Sequence, residues 1–212
     1  MLNFGKRFSN FCFLDNHNYD FDKSYECIAG FGITASVSSN DGKNPKDIDK
    51  FKKENQDWIF GHLSYDLKNE MEDLSSQNED HIGFENFFFF VPQILVILSF
   101  NKVTIAVDEK EDAGEILKQI YCALTNETLF TKPVLKSRIS KGKYLETVDK
   151  LQQHILRGDC YEICFCQEFF AEETQFDPVN VFQKLSATSP NPFSAFYRSG
   201  EKYLMCASPE RF

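Results

Sequence analysis

Positive charge is scarce in this chain: Lys and Arg number 23 against 32 Asp and Glu, a formal net charge of −9. Such a surface repels phosphate backbones and anionic headgroups, which excludes nucleic acid and acidic membranes as expected partners. Long apolar runs are missing too. The nearest, residues 84–100, is broken by Glu85, Asn86, Pro92 and Gln93 and falls short of the ~18–20 residues that span a bilayer, so no membrane anchor is expected. No basic-then-apolar segment of secretory type opens the chain, and the seven cysteines form no regular framework, so the expected compartment is the reducing cytoplasm. Cys160, Cys164 and Cys166 are followed by no second Cys or His pair at zinc spacing. They read as small buried strand residues, and no metal ligand is assigned.

What the chain has in abundance is phenylalanine, 23 of 212 residues beside one Trp and 8 Tyr. With 42% hydrophobic residues, that implies a sizeable core of thickly packed sheet. Phe11 to Leu14 reads as a strand ending at the turn formers Asp15-Asn16-His17-Asn18. Ile28 to Ala35, small and β-branched, fits a strand packed closely on a neighbour. Lys46 to Glu54 is a charged helix with Ile48 and Phe51 inward. The strand Trp58 to Tyr65 follows, where Gly61 allows close backbone approach and Tyr65-Asp66 can cap a short helix. His62 reads as a packing residue more than as an acid or base. Glu72 to Asp80 is an acidic loop. Phe87 to Phe90 reads as a buried edge leading into a hairpin of Gln93–Phe100 and Lys102–Val107, and Asp112 to Leu124 as a helix. Residues 125–140 connect the two halves.

From Ser140, Tyr144, Val148, Leu151 and Ile155 recur at helical spacing, predicting a core-facing helix that ends at Gly158. Tyr161 to Cys166 then reads as a strand, followed by a helix and two further strands.

Four segments resemble one family. Gly158-Asp159-Cys160-Tyr161-Glu162 through Gln167 is similar to the Gly-Asp-x-Tyr/Phe-Gln segment of chorismate-utilising enzymes, component I of aminodeoxychorismate synthase and of anthranilate synthase. Asn191-Pro192-Phe193-Ser194 resembles the family's Asn-Pro-x-Pro-Tyr/Phe-Ser/Met run. Ser208-Pro209-Glu210-Arg211-Phe212 resembles its Ser-Pro-Glu-Arg-Phe segment, and Gly61 to Asp66 its Gly-Tyr-x-x-Tyr-Asp segment. Four motifs in the right order carry weight that one alone would not. They match only about the first half of a family member.

The resemblance implies an α+β fold of two mostly antiparallel sheets packed face to face with helices outside. Residues 1–135 would be the N-terminal portion and 136–212 the start of a truncated chorismate-binding region. The implied function is amination of chorismate at C4 with ammonia from a glutamine amidotransferase subunit, as in para-aminobenzoate (folate) synthesis. Anthranilate synthase, or a non-catalytic amino-acid-binding or glutaminase-docking module, are the alternatives. Magnesium is the implied cofactor, its ligands expected beyond residue 212, and the chain alone is expected to be inactive. By the resemblance Glu210 would be the catalytic acid or base; from residue type alone it reads first as an exposed strand-end carboxylate. Asn16, Pro192, Phe193 and Ser194 fall where the family holds tryptophan, with Asn16 in place of the usual serine. A surface turn at Asn16 and core packing at Phe193 are the plainer readings. Glu162 departs from the family's Gln, and Gly-Asp at 158–159 is also an ordinary turn.

Overall fold

A computed structural model describes residues 1–19, 25–124 and 131–210. The first part of the expected 125–140 connection, residues 125–130, and the Arg211-Phe212 end of the last motif lie outside them. The chain forms two compact units, residues 1–126 with 178–212, and residues 127–177. In order the elements are α1 (Leu2–Gly5), β1 (Asn10–Asp15), β2 (Cys27–Phe31), β3 (Ala35–Ser38), α2 (Lys46–Glu54), β4 (Phe60–Leu63), α3 (Lys68–Met71) and β5 (Phe87–Val91). There follow β6 (Ile94–Ser99), β7 (Lys102–Val107), α4 (Ala113–Cys122), β8 (Lys136–Ser137), α5 (Lys141–Arg157), β9 (Phe169–Phe170), α6 (Pro178–Thr188), β10 (Phe193–Ser199) and β11 (Lys202–Ser208).

The first unit is built on two antiparallel sheets, one of order β11-β10-β1-β2-β6-β7 and one of order β3-β5-β4. Alternation along β1 decides what each face meets. Phe11 and Phe13 join Phe31, Val96 and Phe196 beneath the helices, with Phe4 from α1, Ile116 from α4 and Val179 and Phe182 from α6. Phe11 stands opposite Phe31, the two rings stacked 4.7 Å apart. Cys12 points the other way, into a layer shared by Leu95 and Tyr197 of the large sheet and Phe60, Phe88 and Phe90 of the small one. Gly30 makes that approach possible, since a Cβ there would sit 2.8 Å from the Phe60 ring. Phe51 of α2 packs with Val37 and Phe87 on the outer face of the small sheet. The architecture is α+β with two sheets face to face and helices outside, as the family resemblance implied.

Three expectations change in this unit. Ile28 to Ala35 is two strands, not one: the chain turns at Gly32, whose φ of 69° is left-handed, and β2 and β3 belong to different sheets. Phe87–Phe90 is the centre of the small sheet, not an edge. With Phe87, Phe88 and Phe90 buried, an unbroken aromatic run is what a strand covered on both faces requires. Gly61 does permit close approach: a Cβ there would meet the Phe88 carbonyl oxygen at 2.0 Å. Ser64, not Tyr65-Asp66, caps the turn before α3, accepting from the Asp66 N–H.

In the second unit α5 begins at the Ser140 hydroxyl, which accepts from Lys143 N–H, and ends at Gly158 with φ 82°, as its sequence signals required. The helix is not core-facing: none of its residues is buried. Residues 161–166 form no strand, because none of the described residues lies alongside to take their backbone hydrogen bonds. The unit's one described strand pair joins Lys136–Ser137 to Phe169–Phe170. Cys164 and Cys166 are exposed rather than buried.

Candidate functional site

Strand register gathers the expected site residues at one end of the large sheet. Asp15, the last residue of β1, stands opposite Ser194, and Phe193 stands opposite Ser208 at the end of β11. Asn16, Pro192, Phe193, Ser194 and Glu210 therefore all lie at that end, on or within two residues of the ends of three adjacent strands. Ser194 is 1% exposed and its hydroxyl donates to the Asn191 carbonyl at 3.0 Å. Pro192 is buried in the preceding turn and Phe193 half-buried. The Asn191 amide reaches Ser189 Oγ at 2.7 Å and the Ala207 carbonyl at 3.5 Å, fastening this turn to β11.

Asn16 is engaged locally. Its amide donates to the Tyr25 carbonyl at 2.9 Å and its Oδ1 accepts from Asn18 N–H at 2.8 Å. His17 and Asn18 follow in left-handed conformation, φ 49° and 58°. Tyr19 then donates to the Pro190 carbonyl at 3.3 Å, bridging this turn to the one before β10. A cavity of about 110 Å³ lies here, lined by Asn16, Asn18, Tyr19, Tyr25, Glu26 and Phe100. That is well below the roughly 300 Å³ of typical small-molecule pockets. Residue-type reasoning passed over His17, whose Nε2 is buried with no partner among the described residues. Nothing in its sequence context marks it; only the turn geometry does.

Glu210 is exposed. Its backbone exchanges hydrogen bonds with the Ser208 hydroxyl, 3.2 Å from Glu210 N and 3.1 Å from Glu210 O. Its carboxylate has no partner among the described residues and is open to a molecule brought to it. The buried thiols cannot serve as nucleophiles. Burial pushes Cys12 up to about 12, and burial followed by the Asp15 carboxylate pushes Cys27 up to about 11, so both stay protonated at neutral pH. No group of three or more His, Cys, Asp or Glu able to hold a metal exists among the described residues. Asp159 is a helix-end cap: His154 Nδ1 at 2.7 Å, then Arg157 at 2.6 Å, hold its carboxyl below the usual carboxylate range.

His62 is the remaining imidazole of interest, and its role is structural, bridging the two sheets. Nε2 lies 3.0 Å from the Glu85 carbonyl and Nδ1 3.0 Å from the Tyr197 hydroxyl. A carbonyl only accepts, so Nε2 carries the proton and Nδ1 accepts from Tyr197 O–H. Burial holds the imidazole below its ordinary pKa, in the neutral state this geometry needs. Burial likewise raises Tyr197. No helix among the described residues is long and apolar enough to cross a membrane.

The family model described as chorismate binding enzyme matches residues 9–212. Anthranilate synthase component 1 of Buchnera aphidicola subsp. Acyrthosiphon pisum is 28% identical over 93% of this chain and 39% of its own length. The aminodeoxychorismate synthase of Streptomyces griseus is 28% identical over 73% of this chain and 23% of its own. Among solved structures, anthranilate synthase component I from Streptococcus pneumoniae TIGR4 superposes with a TM-score of 0.59 at 24% identity, covering 72% of this chain and 38% of that one, a likeness of fold. The chain thus spans about two fifths, or less, of these relatives.

Proposed function

This chain belongs to the chorismate-binding enzyme family, and on that premise we propose that it is part of component I of an aminodeoxychorismate synthase, replacing the C4 hydroxyl of chorismate with ammonia from a glutamine amidotransferase subunit. The observation that carries the choice is the Phe193-Ser194 pair at the start of β10, where anthranilate synthases more often have Tyr-Met. Asn16 in place of serine points the same way. In this reading Glu210, exposed and without a carboxylate partner among the described residues, is the acid that assists hydroxyl departure.

Magnesium is the divalent cation the reading calls for, to bind the carboxylates of a dianionic substrate. The described residues offer no cluster that fits it, so no step is derived through it. Tryptophan is the ligand proposed for the Asn16, Pro192, Phe193 and Ser194 end, which must open beyond its present cavity of about 110 Å³ to admit it.

The second reading, anthranilate synthase component I, is favoured by the breadth of the likeness to the Buchnera enzyme, 93% of this chain. Mass spectrometry separates the two. The natural gene product containing this chain, given chorismate, magnesium and ammonium, is expected to form aminodeoxychorismate, and Glu210→Gln to slow it by roughly 10²–10⁴-fold. Anthranilate as product would overturn the first reading in favour of the second. Full activity of Glu210→Gln would remove the assigned role.

A further inference from the structure

A second cavity lies at the opposite end of the large sheet, where Phe31, Ile94 and Val107 stand side by side in register. Its volume is about 880 Å³, within the range of small-molecule sites. Phe4, Phe8, Ile94 and Ile116 give it an apolar floor between α1, α4 and the sheet. Gln93 closes its base by lying over Gly32, where a Cβ would meet Gln93 Oε1 at 2.2 Å; the left-handed glycine is what makes room.

The charges on its wall are unequal. Arg7 donates one N–H to Gln119 Oε1 at 2.7 Å and lies 5.5 Å over the Phe4 ring, and it is the one cation on the wall. Three carboxylates share the lining: Asp57, Asp108 and Glu111. Asp57 accepts from Trp58 N–H and Asp108 from Lys110 N–H, each through Oδ1. Glu111 has no side-chain partner among the described residues. An apolar floor that can hold a ring or alkyl body, rimmed by three exposed carboxylates against one guanidinium, carries an excess of negative charge and is complementary to a molecule of opposite charge. A ring such as that of Phe8 adds attraction for an ammonium.

We propose that this cavity binds a small amphipathic amine, its apolar body on the Phe8–Ile94–Ile116 floor and its ammonium toward Glu111, Asp108 and Asp57. The site is separate from the Asn16–Ser194–Glu210 end and does not depend on the reaction assigned above.

Phenethylamine and 3-phenylpropionate, alike in body and opposite in charge, test it by ¹H–¹⁵N NMR titration of the 212-residue chain. Phenethylamine is expected to shift the amides of Gly32, Gln93, Asp108 and Gln119 saturably, and 3-phenylpropionate to bind at least several-fold more weakly. Glu111→Gln should weaken phenethylamine about fivefold, the scale of a partly exposed ion pair, and Asp108→Asn should add to that loss. Raising the salt should weaken binding in the same direction. No saturable shift in these amides, equal or tighter binding of the acid, shifts confined to residues near Asn16 and Ser194, or affinity indifferent to both substitutions would each overturn the proposal.

Discussion

In the first unit α4 is pinned by Ile116 and α6 by Val179 and Phe182, all buried, whereas α5 in the second unit runs 17 residues and buries none. Both regions form helices; only one surrounds a core. α5 has what a helix can carry within its own sequence, a Ser140 cap, a left-handed Gly158 and a Lys150–Glu146 pair at 2.6 Å. The strand expected at 161–166 is absent for the complementary reason. A helix satisfies its backbone internally, but a strand needs a neighbour.

The comparison can be broken most sharply at the aromatic core. Phe31 is 0% exposed and touches Phe4, Phe8 and Phe11. Phe31→Ala should cost about 3–5 kcal/mol in denaturant unfolding followed by tyrosine fluorescence or circular dichroism. Leu156→Ala, at a position 78% exposed on α5, should change it by less than about 0.5 kcal/mol. Comparable losses would mean that α5 packs as α4 and α6 do.

A middle-sized effect sits at the bridge between the sheets. Tyr197→Phe removes the hydroxyl donated to His62 Nδ1 and should cost about 1–3 kcal/mol. Because folding holds His62 below its ordinary value of 6.5, the unfolded chain binds the extra proton first as pH falls. His62's contribution is therefore fully present above about pH 6.5 and declines as pH drops toward the lowered folded-state value. Unfolding measured between pH 7.5 and 5 should show that decline, and His62→Gln should flatten it. A decline unchanged in His62→Gln would assign it to other groups.

The smallest effect is the most local. Ser140→Ala removes the α5 cap and should cost about 1 kcal/mol, seen as faster hydrogen exchange in residues 141–145 with the unfolding midpoint of the first unit unmoved. A shift of that midpoint would show that the two units unfold together.

These contrasts also mark what could be read from residues alone. Helices α2, α4 and α5 and the β6–β7 hairpin follow from local periodicity and caps, and the structure shows them at or within a few residues of the expected bounds. The turn at Gly32 that sends β2 and β3 into different sheets, and the central place of β5, depend on what packs on the far face, which local pattern does not encode. At the candidate site the motifs named Asn16, Phe193, Ser194 and Glu210 singly. Their meeting at one sheet end is a matter of the β1–β10 register, set over separations of roughly 180 residues, with β11 brought alongside by a local hairpin. His62 had no assignable partner in sequence because Tyr197 lies 135 positions away on the facing sheet.

That register has a further consequence, for the chain as it is made. Once made, β1 finds β2 within a dozen residues, yet its other edge stays open until β10 follows. At translation rates of about 5–20 residues per second, this is a wait on the order of ten to forty seconds. Through that interval β1 presents an unpaired edge with Phe11 and Phe13 on one face and Cys12 on the other. The nascent protein is thus a ready template for strand addition by a neighbouring chain, and its yield in the cell should rest on how well chaperones shield β1 until β10 arrives.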